Sequence, residues 1–292
     1  MKKALKIIGW TLLGVVLAVV IVACIAMYVV FTPARLTPIA REAAGKFITC
    51  QYEIGEVDLT FFSTFPRFGL RADGLLLINP MQGAQNDTVV EAKHVVATVD
   101  VREFLTNKNL HVYEATLGGA SVNFFIAPDG ENNLSVFVSS PDTIEEDDPA
   151  FSLPFHSLEV DGLRLQARAV TFVDAKDTIT ASLSQTELSA KASSWDDIRV
   201  KLDANDVCAQ IKDATYADSL HLTLDAPLAA NLEDMHFTLR KAKLAINEFE
   251  LGVDGDVTLG DAIAVDARVN TGKWQVKPLL ALVPEAFASS LK

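Results

Sequence analysis

The side chains best able to do chemistry at neutral pH are scattered along this chain. His94, His111, His156, His221 and His236 are isolated, and none lies three or four residues from another. No two could therefore share one helix face as a zinc-binding pair does. His111 and His221 sit between apolar residues, which puts them on the polar side of a strand as solvated histidines. The sequence contains no G-x-S-x-G, no H-E-x-x-H, no P-loop and no G-x-G-x-x-G. The local signatures of a serine nucleophile, a zinc hydrolase and a nucleotide cradle are thus missing. Cys24, Cys50 and Cys208 form no C-x-x-C, and one disulfide, Cys50 with Cys208, is the most they could make in an oxidising compartment. Asp129-Gly130-Glu131-Asn132-Asn133 offers oxygen ligands but lacks the alternating spacing and distal Glu of a calcium loop. Asp-Gly there reads as a hairpin turn. The expectation is a protein that is not an enzyme, with no catalytic residue, no metal site and no cofactor.

What the sequence does specify is a surface. From Ile7 to Ala34 runs a stretch of 28 residues without a charge, bracketed by Lys2, Lys3, Lys6 and Arg35. About 20 apolar residues cross the ~30 Å hydrocarbon core of a bilayer, so 7–31 is expected to be a membrane-spanning helix. Trp10 and Tyr28 would sit near its interfaces. A cleavable signal peptide would have a shorter apolar run. A lipobox reading of Ile21-Val22-Ala23-Cys24 meets the continuing apolar residues Ile25–Phe31, where a polar tether belongs. Residues 1–6 then form a basic cytoplasmic stub. Of the 25 basic residues, all but Lys2, Lys3, Lys6 and Arg35 lie in 36–292 with all 38 acidic ones, a net of −17. That acidity excludes a nucleic-acid partner, which needs cations for its phosphates. It fits a chain held single-pass in the plasma membrane with its bulk outside, which in a bacterium means the periplasm.

Residues 32–50 read as a juxtamembrane linker with a short helix near 38–48, opened by Thr37-Pro38. From about residue 51 the hydrophobic period changes from 3.6 to 2. Val57/Leu59/Phe61, Phe68/Leu70/Ala72, Val122/Phe124, Val170/Phe172, Ile198/Val200/Leu202 and Leu220/Leu222/Leu224 alternate with polar residues. Asn79-Pro80, Asp129-Gly130, Asp161-Gly162 and Asp254-Gly255 supply turns. The pattern predicts a mainly β region over 51–292, an antiparallel meander with one apolar and one polar face. A flexible acidic loop over about 139–149 interrupts it, and a short helix is expected near 278–291. An internal repeat at an offset of 48 matches Leu110, Val112, Leu117, Val122, Phe124, Ala127 and Asp129 to Leu158, Val160, Leu165, Val170, Phe172, Ala175 and Asp177. It suggests a duplicated hairpin unit. Apolar strand faces must be covered. Two of them could close on each other as a sandwich, or one curled sheet could leave an open groove. Periodicity is the same in both cases.

The segment EIGEVDLTFFSTFPRFGLRADGLLLINP (53–80) resembles the start of the AsmA family, with its strand Val57–Phe62, Phe65-Pro66 turn, Gly69-Leu70 strand and Asp73-Gly74-Leu75 step. EAKHVVATVDVREFLTNKNLHVYEATLGGASVNFFIAPDGENNL (91–134) is similar to that family's following unit, and AVTFVDAKDTITASL (169–183) and VKPLLALVPEAF (276–287) also fit. The order of these passages carries the resemblance. It implies an inner-membrane-anchored protein related to the chorein-type bridge-like lipid transfer proteins. In these an elongated, curled sheet forms an open groove that conducts phospholipid between inner and outer membranes and supports outer-membrane biogenesis. Members are usually longer, so this sequence reads as an amino-terminal fragment or a short member. The implied partners are phospholipid acyl chains, the inner membrane through 7–31, and an envelope protein. The groove candidates are Val57, Leu59, Phe61, Phe68, Leu70, Val122, Phe124, Val170 and Phe172. The competing expectation is an assembly factor for outer-membrane proteins that carries no lipid and is built on a closed β-sandwich.

Overall fold

The computed structural model describes residues 32–60, 67–100, 103, 106–107, 109–137, 157–231, 235–258 and 264–271. The expected membrane helix at 7–31, the acidic loop at 139–149 and the helix at 278–291 lie outside them. Among the described residues no helix is long and apolar enough to cross a membrane.

The first element is helix α1, Pro33–Gly45, which starts earlier than Thr37-Pro38 suggested. A second Thr-Pro pair stands five residues upstream, so Thr32 is the cap residue and Pro33 takes the first turn. Pro38 is left inside the helix, where it lacks the N–H for the usual bond to a carbonyl one turn back. Thr37 is released from capping, and its Oγ1 accepts the Val57 N–H at 2.9 Å. Arg41 donates through Nε and Nη2 to the Ile54 carbonyl at 3.0 and 2.7 Å. The helix thus occupies backbone groups of the first two strands.

Thirteen strands follow in one sheet: β1 Tyr52–Ile54, β2 Val57–Thr60, β3 Phe68–Ile78, β4 Thr88–Val99, β5 Asn109–Ile126, β6 Ser157–Val160, β7 Gly162–Asp174, β8 Ile179–Ser194, β9 Asp197–Ile211, β10 Ala214–Asn231, β11 His236–Ile246, β12 Phe249–Thr258 and β13 Ala264–Thr271. The main path runs β1-β3-β4-β5-β7 and then in sequence order to β13, with β2 beside β3 and β6 beside β5. The ladder is antiparallel except where β5 meets β6 and β7, which are parallel. This corrects the all-antiparallel expectation, and the internal repeat gives the reason. The duplicated segments are neighbours, so Leu110 faces Leu158, Val112 Val160, Leu117 Leu165, Val122 Val170 and Phe124 Phe172. Equivalent residues of two copies match when the strands run parallel in register, and the chain between them makes the crossover that such a pair requires.

The period of 2 slips by one residue at marked places. Apolar positions step by three from Ala204 to Val207, Ala217 to Leu220 and Leu239 to Ala242. Asp206 (φ 47°), Ser219 (φ 51°) and Lys241 (φ 55°) lie inside these steps, and the pairing register shifts at each. Gly119 (φ 61°) does the same between Leu117 and Ala120. A bulge adds a residue and strengthens the local twist. Each of these keeps the apolar residues on one face while curling the sheet. Side chains tie several down: Ser219 Oγ donates to Asp206 at 2.8 Å, and the Lys241 N–H donates to Asp254 at 2.7 Å.

The result is an open, curled sheet. Among the described residues no second sheet faces it, which removes the sandwich expectation there. One compact core lies at the amino-terminal end, where Leu77, Val89, Val90, Ala92, Ala120, Val122, Val136 and Ala167 pack together with Ile48, Cys50 and Tyr52 against them. Residues 48–52 and the Asn133–Val136 turn cover the sheet here, joined by the Thr49 N–H donating to the Val136 carbonyl at 2.8 Å.

Candidate functional site

Register lines up the apolar residues across the strands, not merely along them. Val57 stands opposite Ala72, Ala72 opposite Val95, Val95 opposite Leu117, and Leu117 opposite Leu165. The line continues through Leu188, Leu202, Leu224 and Leu244 to Leu251. Ten strands thus contribute one apolar residue each to a single row. At about 4.8 Å per strand the row is roughly 43 Å long. A second row beside it joins Leu59, Leu70, Ala97, Ala115, Leu163, Ala190, Val200 and Ala226.

Among the described residues these rows are shielded by curl and by their neighbours, and no element lies over them as a lid. Along β9, Ile198, Val200 and Leu202 are half-buried and Ala204 buried, whereas Asp197, Arg199, Lys201 and Asp203 are exposed. From Leu165 to Leu251 the members of the first row are all half-buried, and Leu163 in the second is 55% exposed. A continuous apolar band that no described residue roofs is the kind of surface on which another apolar body sits.

The structure brings eight of the nine expected residues to this face; Phe61 lies outside the described residues. Val57 begins the first row, and Leu59 and Leu70 face each other in the second. Phe68 packs beside Val99 and Val112 with Leu70. Val122 pairs with Val170 and Phe124 with Phe172. Val122 is buried in the core under residues 48–52 and Val136, and Phe124 and Val170, half-buried, pack against that core, as do Leu117 and Leu165 of the first row. The members of the row outside that core are the distal ones, Leu188, Leu202, Leu224, Leu244 and Leu251, all half-buried. One leucine per strand at matched register was the signal for them, and only the pairing shows it.

The opposite face is polar and knitted by charge. Arg199 grips Asp225 with two bonds of 2.8 and 2.7 Å, and Lys201 lies 3.8 Å away. The guanidinium bond is the main cause holding the Asp225 carboxyl below the usual carboxylate range. Glu114 pairs with Arg164 at 3.3 Å and Lys191 at 3.5 Å. His111, His221 and His236 each face an aspartate, Asp161, Asp203 and Asp256, at 2.8, 2.9 and 3.2 Å. The Tyr113 hydroxyl donates to Asp100 at 2.8 Å, which pushes its pKa up. Cys50 and Cys208 are free thiols, and burial at the core pushes the Cys50 thiol up. In the 129–133 turn the oxygens serve the backbone. Asp129 accepts the Glu131 N–H, Asn132 the Leu134 N–H and Asn133 the Phe125 N–H.

The AsmA family model matches residues 1–150 of the 292. No curated protein and no solved structure matches the chain.

Proposed function

The chain belongs to the AsmA family, and from that premise together with its unroofed apolar face we propose that it carries phospholipid along the sheet. The single observation behind this reading is the row of apolar residues matched across ten strands. Each leaflet of a bilayer core is about 15 Å thick, half of ~30 Å, so a row of roughly 43 Å is longer than one acyl chain needs. Acyl chains lying on the rows would leave water for hydrocarbon, the favourable transfer that drives such binding, while headgroups stay at the open side. No bond is made or broken; the protein acts as a carrier and not as an enzyme. Residues 7–31 span the inner membrane with the amino terminus in the cytoplasm, and the sheet projects into the periplasm. There it supplies phospholipid for outer-membrane biogenesis. The compact core beside α1 stiffens the membrane-proximal end, and the leucine row leads away from it.

Site-specific photo-crosslinking of the full-length protein in cells grown with radiolabelled phosphate tests this. A photoreactive residue at Leu202, Leu224 or Leu244 should capture labelled phospholipid, whereas one at Lys201, Asp225 or Lys243 on the other face should not. Equal capture from both faces, or none from either, would discard the carrier reading. The assembly-factor alternative predicts protein adducts at the leucines in place of lipid.

A further inference from the structure

The polar face of the sheet is not uniform along its strands. On β9 its residues run Asp197, Arg199, Lys201 and Asp203 up to the bulge at Asp206, and then Cys208 and Gln210. On β8 they run Lys191 and Glu187 up to Gln185 (φ 45°), and then Ser182. On β7 Arg164 and Arg168 give way to Thr171 past the register shift beside Ser121. The break on each strand therefore marks a boundary, charged on one side and uncharged on the other.

Register stacks the uncharged residues into a ladder. Asn123 stands opposite Thr171, Thr171 opposite Ser182, and Ser182 opposite Cys208. The connection between β3 and β4 reaches this patch, where the Asn86 amide donates to the Thr171 hydroxyl at 3.4 Å. That hydroxyl donates in turn to Asn123 at 2.8 Å, which fixes its position. Connection and sheet border a cleft of about 320 Å³, at the small end of ligand-binding volumes. Eleven described residues line it and none is charged, on a chain of net charge −13. Its lining residues adjoin no undescribed stretch of sequence. Among the described residues, the Ser182 hydroxyl and the Gln85 and Gln210 amides in this cleft have no hydrogen-bond partner.

Those groups select a class of ligand. The lining holds no charge to offset the desolvation of a phosphate, a carboxylate or an ammonium group. An extended peptide adds to a sheet through its backbone at a free edge, whereas β7, β8 and β9 each have a strand on both sides. Hydroxyls and amides both donate and accept, and so does every hydroxyl of a sugar ring. The ladder repeats at the ~4.8 Å strand spacing, close to the length of one ring in a linear saccharide. The geometry points to a binding site for an uncharged saccharide. Ser182, Gln85 and Gln210 bond its hydroxyls there, and Asn86 and Thr171 form a fixed wall. The cleft lies on the face opposite the leucine rows, so the site stands whether or not lipid is carried along them.

The test uses the full-length protein in lipid nanodiscs, with chitotetraose, cellotetraose and maltotetraose as ligands and calorimetry as the readout. At least one of these should bind the wild type at a single site. Gln210→Ala removes an exposed amide and should weaken that binding about fivefold, the net worth of one hydrogen bond. Ser182→Glu places a charge in the cleft and should abolish binding while the thermal transition stays in place. Glu187→Gln, across the boundary on the same strand, should leave binding unchanged. Alkylation of Cys208, which lines the cleft, gives a second readout that needs no substitution. Saturating saccharide should slow it severalfold without slowing that of Cys50, the two thiols being told apart by peptide mapping. Binding of none of the three saccharides, binding that survives Ser182→Glu, or Cys208 alkylation unchanged by saccharide would each overturn the proposal. So would protection of Cys208 by an uncharged Ser/Thr/Asn peptide and by no saccharide, since the cleft would then be a peptide site.

Discussion

Asn133 is a side chain standing in for a strand. It is wholly buried, and it accepts the Phe125 N–H at 3.0 Å while its amide donates to the Asn123 carbonyl at 2.7 Å. Those backbone groups lie at the end of β5 beyond the last residue that β4 pairs. Asn133→Ala strands one donor and one acceptor, at about 1–3 kcal/mol for each unsatisfied group. Chemical denaturation should show a loss of about 2–6 kcal/mol, and Asn133→Asp, which keeps only the acceptor, should not recover it. Asp225 gives a smaller effect with a definite sign. Its folded pKa is depressed, so the contribution exists above the unfolded value near 4 and disappears as pH falls through the folded one. Stability curves of wild type and Asp225→Asn should differ at neutral pH, with wild type higher, and converge in acid; a constant gap would refute the assignment. The leucine rows behave differently from the core. Leu224→Asp places a carboxylate on an unroofed face and should leave the thermal transition nearly in place. Val122→Asp buries one under Val136 and should prevent folding.

At the scale of elements, the tightest constraint is the joint between β1 and β2, both of which pair with β3. Gly55 forms it, with its N–H donating to Gly74 at 3.0 Å, and a Cβ there would run into the Asp73 carbonyl oxygen. Gly74 has φ +90° but open space around it. Gly55→Ala should therefore cost about 1–3 kcal/mol through overpacking and detach β1 or β2, seen as fast amide exchange at Tyr52–Ile54. Gly74→Ala should cost only its backbone strain, about 1 kcal/mol, with exchange there unchanged. If the two substitutions behaved alike, close approach would not be what Gly55 provides. Strand positions were legible from the period of 2 because one face stays polar: Val57/Leu59, Phe68/Leu70 and Val122/Phe124 all fall where alternation puts them. Three features were not. Parallel pairing of the repeated segments depends on which strands become neighbours, and a hairpin reading of the repeat overlooks it. The bulges at Ser219 and Lys241 involve residue types that carry no positive-φ signature, and Asp206 carries only a weak one, since aspartate visits that region occasionally. The start of α1 was misplaced because two Thr-Pro pairs compete, and the tertiary bond from Val57 to Thr37 decides between them.

At the scale of the whole molecule, the described sheet has one end covered and a length that no described residue roofs, and that asymmetry sets what the proposed carriage of lipid would require. Near α1 the face is filled by Ile48, Cys50, Tyr52 and Val136, so under the proposed function an acyl chain would lie on the rows beyond it or beside it. A row of equivalent leucines has no single deep pocket, and each step to the next strand exchanges one leucine contact for a similar one. Movement along such a row is nearly level in free energy, whereas a charge placed anywhere on it raises a barrier, because a buried carboxylate beside hydrocarbon is costly. The position of the block should then determine where lipid accumulates. With lipid entering from the membrane-proximal side, Leu224→Asp should preserve photo-crosslinks to phospholipid at Leu188 and abolish those at Leu251. Leu188→Asp should abolish both. A protein that merely holds one lipid would lose crosslinks only next to the substituted strand, and retention at Leu251 in the Leu224→Asp variant would identify it as a holder with no passage along the sheet.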